Sequence, residues 1–350
     1  MQHFENVLIL SDGIGGHYHQ SLGIANWLVR LGGSKLMQSI EVPKDKALKI
    51  KLSSKKLMSG DSKYADEWLN TMDFHNRDFG TDTLFISAGS SAAPFCLALA
   101  RATGNKAAVI MTPSVLGTRP FDFAIIPEHD KQDPLSNVIT TLGAPNHIYE
   151  PELKKTALEF FADKDFSGKK VIALLIGGSD ANYKVTAEWA KKALEPFKKI
   201  HDAKLLVTTS RRTGSEVDEV IGEILRDCEA LEYLLLMSKG SALNSLTAML
   251  GAATHVFATE DSVSMVSEAA TAGFRVGLLR VPHSPVTYAK NLAGYGIKRF
   301  DAMFDRMKSL DLITDIVDEK AFSDFVEASE QKHHKDFNEA RKAAEWILNS

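Results

Sequence analysis

Short runs of consecutive apolar residues recur along the chain, separated by longer stretches in which apolar and polar positions follow a helical period. The runs are 7-VLIL-10, 83-TLFIS-87, 107-AAVIM-111 and 123-FAIIP-127, then 171-VIALLI-176, 204-KLLVTT-209, 232-EYLLLM-237, 255-HVFAT-259 and 275-RVGLL-279. Continuous apolar strands, rather than alternating ones, predict parallel sheets buried on both faces by the intervening helices. Several runs end in Gly/Ser-rich loops: 11-SDGIGG-16, 88-AGSSA-92, 177-GGSD-180 and 209-TSRRTG-214. In open α/β sheets such loops lie at the carboxyl edge of the strands, where ligands bind. The pattern stops once, between 140-TTLGAPNHIYEPE-152 and 163-DKDFSGKK-170, and then restarts. That break predicts a boundary between about 150 and 168, giving an N-terminal Rossmann-like domain over 1–160 and a second over 161–330. Residues 331–350 read as a terminal helical segment, with Phe337, Ala340, Ala343, Ala344 and Ile347 on one apolar face.

Composition narrows the picture. A chain of 350 residues exceeds one typical core of about 150, in keeping with two domains. Hydrophobic residues are 44% and charged residues 25%, which excludes disordered and collagenous chains. The net charge of −4 disfavours a nucleic-acid partner. Cys96 and Cys228 stand in unrelated segments, so neither a disulfide framework nor a zinc site is expected, and a reducing compartment is. No apolar stretch approaches the roughly 20 residues needed to span a bilayer, and the N-terminus has no basic leader, so a cytoplasmic protein is expected. One segment, 44-KDKALKIKLSSKK-56, carries Lys44, Lys46, Lys49, Lys51, Lys55 and Lys56 with Leu48, Ile50 and Leu52 interleaved. It reads as an edge guarded by lysines or, alternatively, as a peripheral contact with an anionic membrane.

Four segments can carry chemistry. After the first strand, Gly13, Gly15 and Gly16 permit a tight turn and close backbone approach, and the following helix offers free N–H groups. His17 at that helix start is a candidate general base, with His19 as a lesser candidate. In 207-VTTSRRTGSEVDEV-220, Arg211 and Arg212 diverge, so one is expected to reach a diphosphate and the other to pair with a carboxylate, with Ser210 and Thr213 adding hydroxyls. In 255-HVFATEDSVSMVSEAATAGFRVGLL-279, Asp261 or Ser262 can cap a helix whose one face carries Ser264 and Glu268, flanked by Ser267. A hydroxyl near a positive helix end suits a phosphate, and a carboxylate one turn on suits ribose hydroxyls. The turn 127-PEHD-130 offers Glu128, His129 or Asp130 as a single cleft acid or base, since consecutive side chains diverge. No metal-ligand spacing is present, and none is expected.

Together, 12-DGIGGHYHQ-20, 127-PEHD-130, 141-TLGAPNHI-148, 177-GGSD-180, 208-TTSRRTG-214 and 261-DSVSMVSEAATAGFRV-276 resemble the plant and bacterial mitochondrial-fission family named for elongated mitochondria. The resemblance runs the whole length of the chain, with a departure at 178-GSDANYK-184. That family is similar to GT-B glycosyltransferases, in particular to the enzyme that adds N-acetylglucosamine to a lipid-linked muramyl peptide. The similarity implies an α/β GT-B fold of two doubly wound Rossmann-like domains facing a central cleft, with a C-terminal helix returning to the first domain. It implies a nucleotide-diphosphate sugar as donor, with no further cofactor, and an acceptor that the sequence leaves open. His17 would be the base, with Gly15, Gly16, Gly177, Gly178, Ser210, Arg211, Arg212, Thr213, Ser262, Ser264, Ser267 and Glu268 around the nucleotide sugar. Two alternatives share the fold: a nucleoside-diphosphate-sugar epimerase, and a non-catalytic recruitment protein like the plant member.

Overall fold

A computed structural model describes residues 2–36, 39–43, 78–130, 134–292, 298–333 and 336–350. The Lys44–Lys56 segment lies outside the described residues. The chain forms two compact units, Met1–His147 with Asn338–Ser350, and Ile148–Phe337.

The first unit runs β1 (Asn6–Ser11), α1 (Gly15–Gly32), β2 (Lys35–Leu36), β3 (Ile40–Glu41), β4 (Thr83–Ala88), α2 (Gly89–Thr103), β5 (Lys106–Ile110), β6 (Phe123–Pro127) and β7 (Val138–Thr141). Every pairing is parallel, in the order β2-β1-β4-β5-β6-β7, with β3 also on β1. The alternation of β1 explains its unbroken apolar run. Val7 and Ile9 pack with Ile24, Ala25 and Leu28 of α1, while Leu8 and Leu10 face Phe85, Phe95 and Leu97. Each such side chain contributes about 1.5–3 kcal/mol when fully buried. The terminal helix Glu339–Asn349 belongs to this unit. Its Ala340, Ala343, Ala344 and Ile347 join the α1 side of the core, where small residues let it approach closely.

The second unit runs α3 (Glu150–Phe160), β8 (Lys170–Leu175), α4 (Ala187–Lys198), β9 (Ala203–Thr208), α5 (Ser215–Leu225), β10 (Leu231–Leu235), α6 (Ser245–Ala252), β11 (His255–Thr259), α7 (Val263–Thr271), β12 (Val276–Leu279), α8 (Pro285–Leu292), α9 (Lys298–Ser309), β13 (Ile313–Asp315) and α10 (Glu319–Glu327). Its all-parallel sheet has the order β10-β9-β8-β11-β12-β13, the doubly wound Rossmann arrangement.

The division falls at Ile148 rather than between about 150 and 168. The reason is α3, which packs on α6 so closely that a Cβ on Gly251 would lie 2.0 Å from the Leu153 carbonyl oxygen. Residues 331–333 likewise stay with the second unit. The Gln331 N–H donates to the Thr254 carbonyl, and Phe274 bridges to Lys332. Among the described residues no helix is long and apolar enough to cross a membrane.

Candidate functional site

Strand order locates the ligand edge of each unit. An open α/β sheet binds outside the carboxyl ends of its strands where the winding reverses direction. In the first unit β2 and β3 take one edge of β1 and β4 takes the other, so the reversal lies between β1 and β4. In the second unit it lies between β8 and β11.

At the β1/β4 reversal stands His17. The chain leaves β1 through Asp12, which is buried, and Gly13, whose φ of +73° is left-handed. Asp12 Oδ1 accepts the Ile14 N–H at 3.1 Å, and Oδ2 lies 2.9 Å from His17 Nδ1. Ile14 is the N-cap of α1 and cannot accept a hydrogen bond through its side chain, so Gly15 and Gly16 open the helix with uncapped N–H groups. In the tautomer whose Nδ1–H donates to Asp12 Oδ2, Nε2 carries the lone pair. The ring rests on Gly89, the residue after β4. A Cβ there would be 2.5 Å from His17 Cε1, and the φ of Gly89 is +78°. Glycine is required here twice, for the turn and for the imidazole. The next loop is tied in as well, for Ser90 Oγ accepts the Ser114 N–H at 2.8 Å.

At the β8/β11 reversal the polar groups bind one another. Gly177 N–H donates to Thr259 Oγ1 at 2.7 Å, and Gly178 N–H to Asp261 Oδ2 at 2.8 Å. Arg212 donates to the Gly178 carbonyl at 2.9 Å and to Asp261 Oδ2 at 3.0 Å, with Asp180 at 3.5 Å. Burial pushes the Asp261 carboxyl up, and the Arg212 guanidinium opposes that. Arg212 is therefore the arginine that pairs with a carboxylate, and Arg211 is exposed beside it. The Thr213 hydroxyl donates to the Gly177 carbonyl at 2.6 Å and accepts the Ser210 N–H, while Ser210 Oγ accepts the Arg212 N–H. These hydroxyls brace the turn. Gly177 and Gly178 are glycine because the protein itself fills the space: Cβ atoms there would lie 2.1 Å from the Asp261 carboxylate and from the Arg212 carbonyl carbon.

The start of α7 is different. Ser262 is its N-cap but makes no side-chain capping bond, so the first-turn N–H groups are not capped by it. Ser264 is half-buried on this turn; Ser267 and Glu268 are buried. Burial pushes the Glu268 carboxyl up to about 8. Glu260 does not crowd this turn with free charge, since it accepts from Arg280 at 2.8 Å and from the Val281 N–H at 2.7 Å.

Glu128, His129 and Asp130 form a short 3-10 turn after β6. Two strands, β4 and β5, stand between β6 and β1, so this turn lies off the reversal point. The residue that sequence reasoning missed is Asp12. Its signal is a carboxylate directly after a strand and five positions before a histidine, spanning a glycine turn.

The family model described as Mitochondrial fission ELM1 matches residues 15–350. No curated protein matches this sequence. Among solved structures, a Methanocaldococcus jannaschii UDP-GlcNAc 2-epimerase shares 10% identity over 98% of both chains, with a TM-score of 0.56. A Neisseria meningitidis UDP-GlcNAc 2-epimerase bound to UDP-GlcNAc shares 12% over 98% of both chains, at 0.52. Staphylococcus aureus MnaA with UDP shares 13% over 99% of this chain and 95% of that one, at 0.51. The likeness establishes the fold: an α/β chain of two Rossmann-like units, of the GT-B class.

Proposed function

The chain belongs to the mitochondrial fission ELM1 family, and from that premise we propose that it is a nucleotide-sugar glycosyltransferase working without a metal on the diphosphate. The observation that carries the reading is the Asp12–His17 pair at the β1/β4 reversal, which offers Nε2 as a proton acceptor. In the proposed step Nε2 takes the proton of an acceptor hydroxyl as its oxygen attacks the anomeric carbon. The bond from that carbon to the diphosphate breaks, and the diphosphate leaves with the electron pair. Asp12 stabilises the imidazolium that results, a contribution of the kind worth about 10²–10⁴ in rate. Arg211 and the uncapped start of α7 with Ser264 take the charge developing on the diphosphate. Glu268 accepts the ribose hydroxyls. Gly177, Gly178, Ser210, Arg212 and Thr213 hold this edge in shape, and Glu128, His129 and Asp130 have no part in the step.

The structural neighbours recorded with UDP or UDP-GlcNAc make UDP the first nucleotide to try. The test is thermal unfolding with UDP, GDP, ADP, dTDP and CMP. A ligand at a hundred times its dissociation constant adds about 2.7 kcal/mol to the folded state. Stabilisation by one of them, lost in Glu268→Ala, supports the donor site. No stabilisation by any at millimolar concentration favours a recruitment protein that kept the fold. A nucleotide sugar converted without any acceptor favours an epimerase.

A further inference from the structure

The loop that follows β7 returns across α1, and Gly23 marks where it touches. A Cβ on Gly23 would lie 2.1 Å from the Asn146 carbonyl oxygen, so helix and loop meet backbone to backbone. This contact fixes the next residue of the loop, His147, over His19, which lies four positions before Gly23 on α1. The two imidazole centroids are 4.5 Å apart with the rings tilted by 52°, and a ring nitrogen of each lies within 4.8 Å of the other. His19 is exposed and His147 half-buried. The buried Nδ1 of His147 has no hydrogen-bond partner among the described residues.

A buried imidazole nitrogen normally meets a donor or an acceptor. Here the neighbouring group is a second imidazole, itself open to solvent. Paired imidazoles are the donor set that borderline divalent cations such as Zn²⁺, Ni²⁺ and Cu²⁺ prefer over carboxylate-seeking Mg²⁺ or Ca²⁺. We propose that His19 and His147 form a binding site for a divalent transition cation, with water completing its shell. Two protein ligands make the site exchangeable rather than permanent. His17 is two positions from His19, so its side chain leaves α1 in another direction and stays with Asp12.

The test is Cu²⁺ titration of the untagged full chain carrying His3→Gln, which removes the competing copper-binding Met1-Gln2-His3 motif, read by electron paramagnetic resonance. The expected result is one equivalent bound with superhyperfine coupling to two imidazole nitrogens. His19→Gln and His147→Gln should each leave one coupled imidazole and weaken binding by about tenfold or more, whereas His17→Ala should change neither. An unchanged melting temperature of each metal-free variant establishes that it is folded; should His147→Gln fail this, His19→Gln alone decides. No stoichiometric Cu²⁺ binding by the His3→Gln chain overturns the proposal. So does a two-imidazole spectrum that survives His19→Gln.

Discussion

The two reversal points share one topology and use their first glycine in opposite ways. After β4, Gly89 makes room for the imidazole of His17, whose second nitrogen has no hydrogen-bond partner among the described residues. After β8, Gly177 makes room for the carboxylate of Asp261, which Arg212 then covers. The first edge carries an imidazole held on a carboxylate; the second pairs Arg212 with Asp261 and leaves Arg211 exposed beside them. A glycine-rich loop at a sheet edge is thus no statement about ligands until one sees what the missing Cβ admits.

Asp12→Asn breaks the first edge most sharply. The Asn carbonyl can still accept from Ile14, but its NH₂ now faces Nδ1 and drives the proton to Nε2. Turnover should fall by about 10³-fold while the fold persists, a comparison of kcat and denaturation midpoint for the two proteins. Equal kcat removes the pair from the chemistry.

On the second edge, Glu268 carries the next largest effect. Its carboxyl ionises near its ordinary 4.5 in the unfolded chain and at about 8 in the folded one. Between those values the unfolded state loses a proton that the folded state keeps. Stability therefore falls as pH rises from about 4.5 and has lost up to about 5 kcal/mol above 8. Glu268→Gln should abolish that loss, read as the unfolding free energy at pH 5 and pH 9. An unchanged slope would place the pH dependence elsewhere.

Gly89→Ala and Gly177→Ala should each cost about 1–3 kcal/mol by overpacking. Only the first should also displace His17, so it alone should reduce turnover at saturating donor out of proportion to its stability.

The smallest contrast separates adjacent arginines. Arg212→Ala leaves Asp261 buried with the Gly178 N–H but without its cationic partner. Because the guanidinium is partly exposed, the cost is about 2 kcal/mol rather than the larger figure for a fully buried pair. Arg211→Ala should change stability by less than about 0.5 kcal/mol and weaken diphosphate binding instead. Denaturation curves and nucleotide titrations of the two variants together resolve this.

Much of the architecture was legible because a strand buried on both faces has to be apolar throughout. The runs at 123–127 and 255–259 coincide with β6 and β11. The strands that escaped, β2, β3, β7 and β13, span two to four residues, too short for any period to register. The boundary was misplaced because α3 is polar on most faces. The groove it fills beside Gly251 comes from α6, about 100 residues away. Of the site, the pairing of one arginine with a carboxylate was foreseeable from the divergence of adjacent side chains, and Arg212 with Asp261 realises it. Asp12 was not, because its role depends on a turn that brings a residue five positions on back to it.

The most direct measurement is a crystal structure of the chain with UDP. The account predicts the β-phosphate within hydrogen-bonding distance of the α7 first-turn amides and of Arg211, with Arg212 still on Asp261. A diphosphate held by Arg212 away from Asp261, or bound at the β1/β4 edge beside His17, would contradict it.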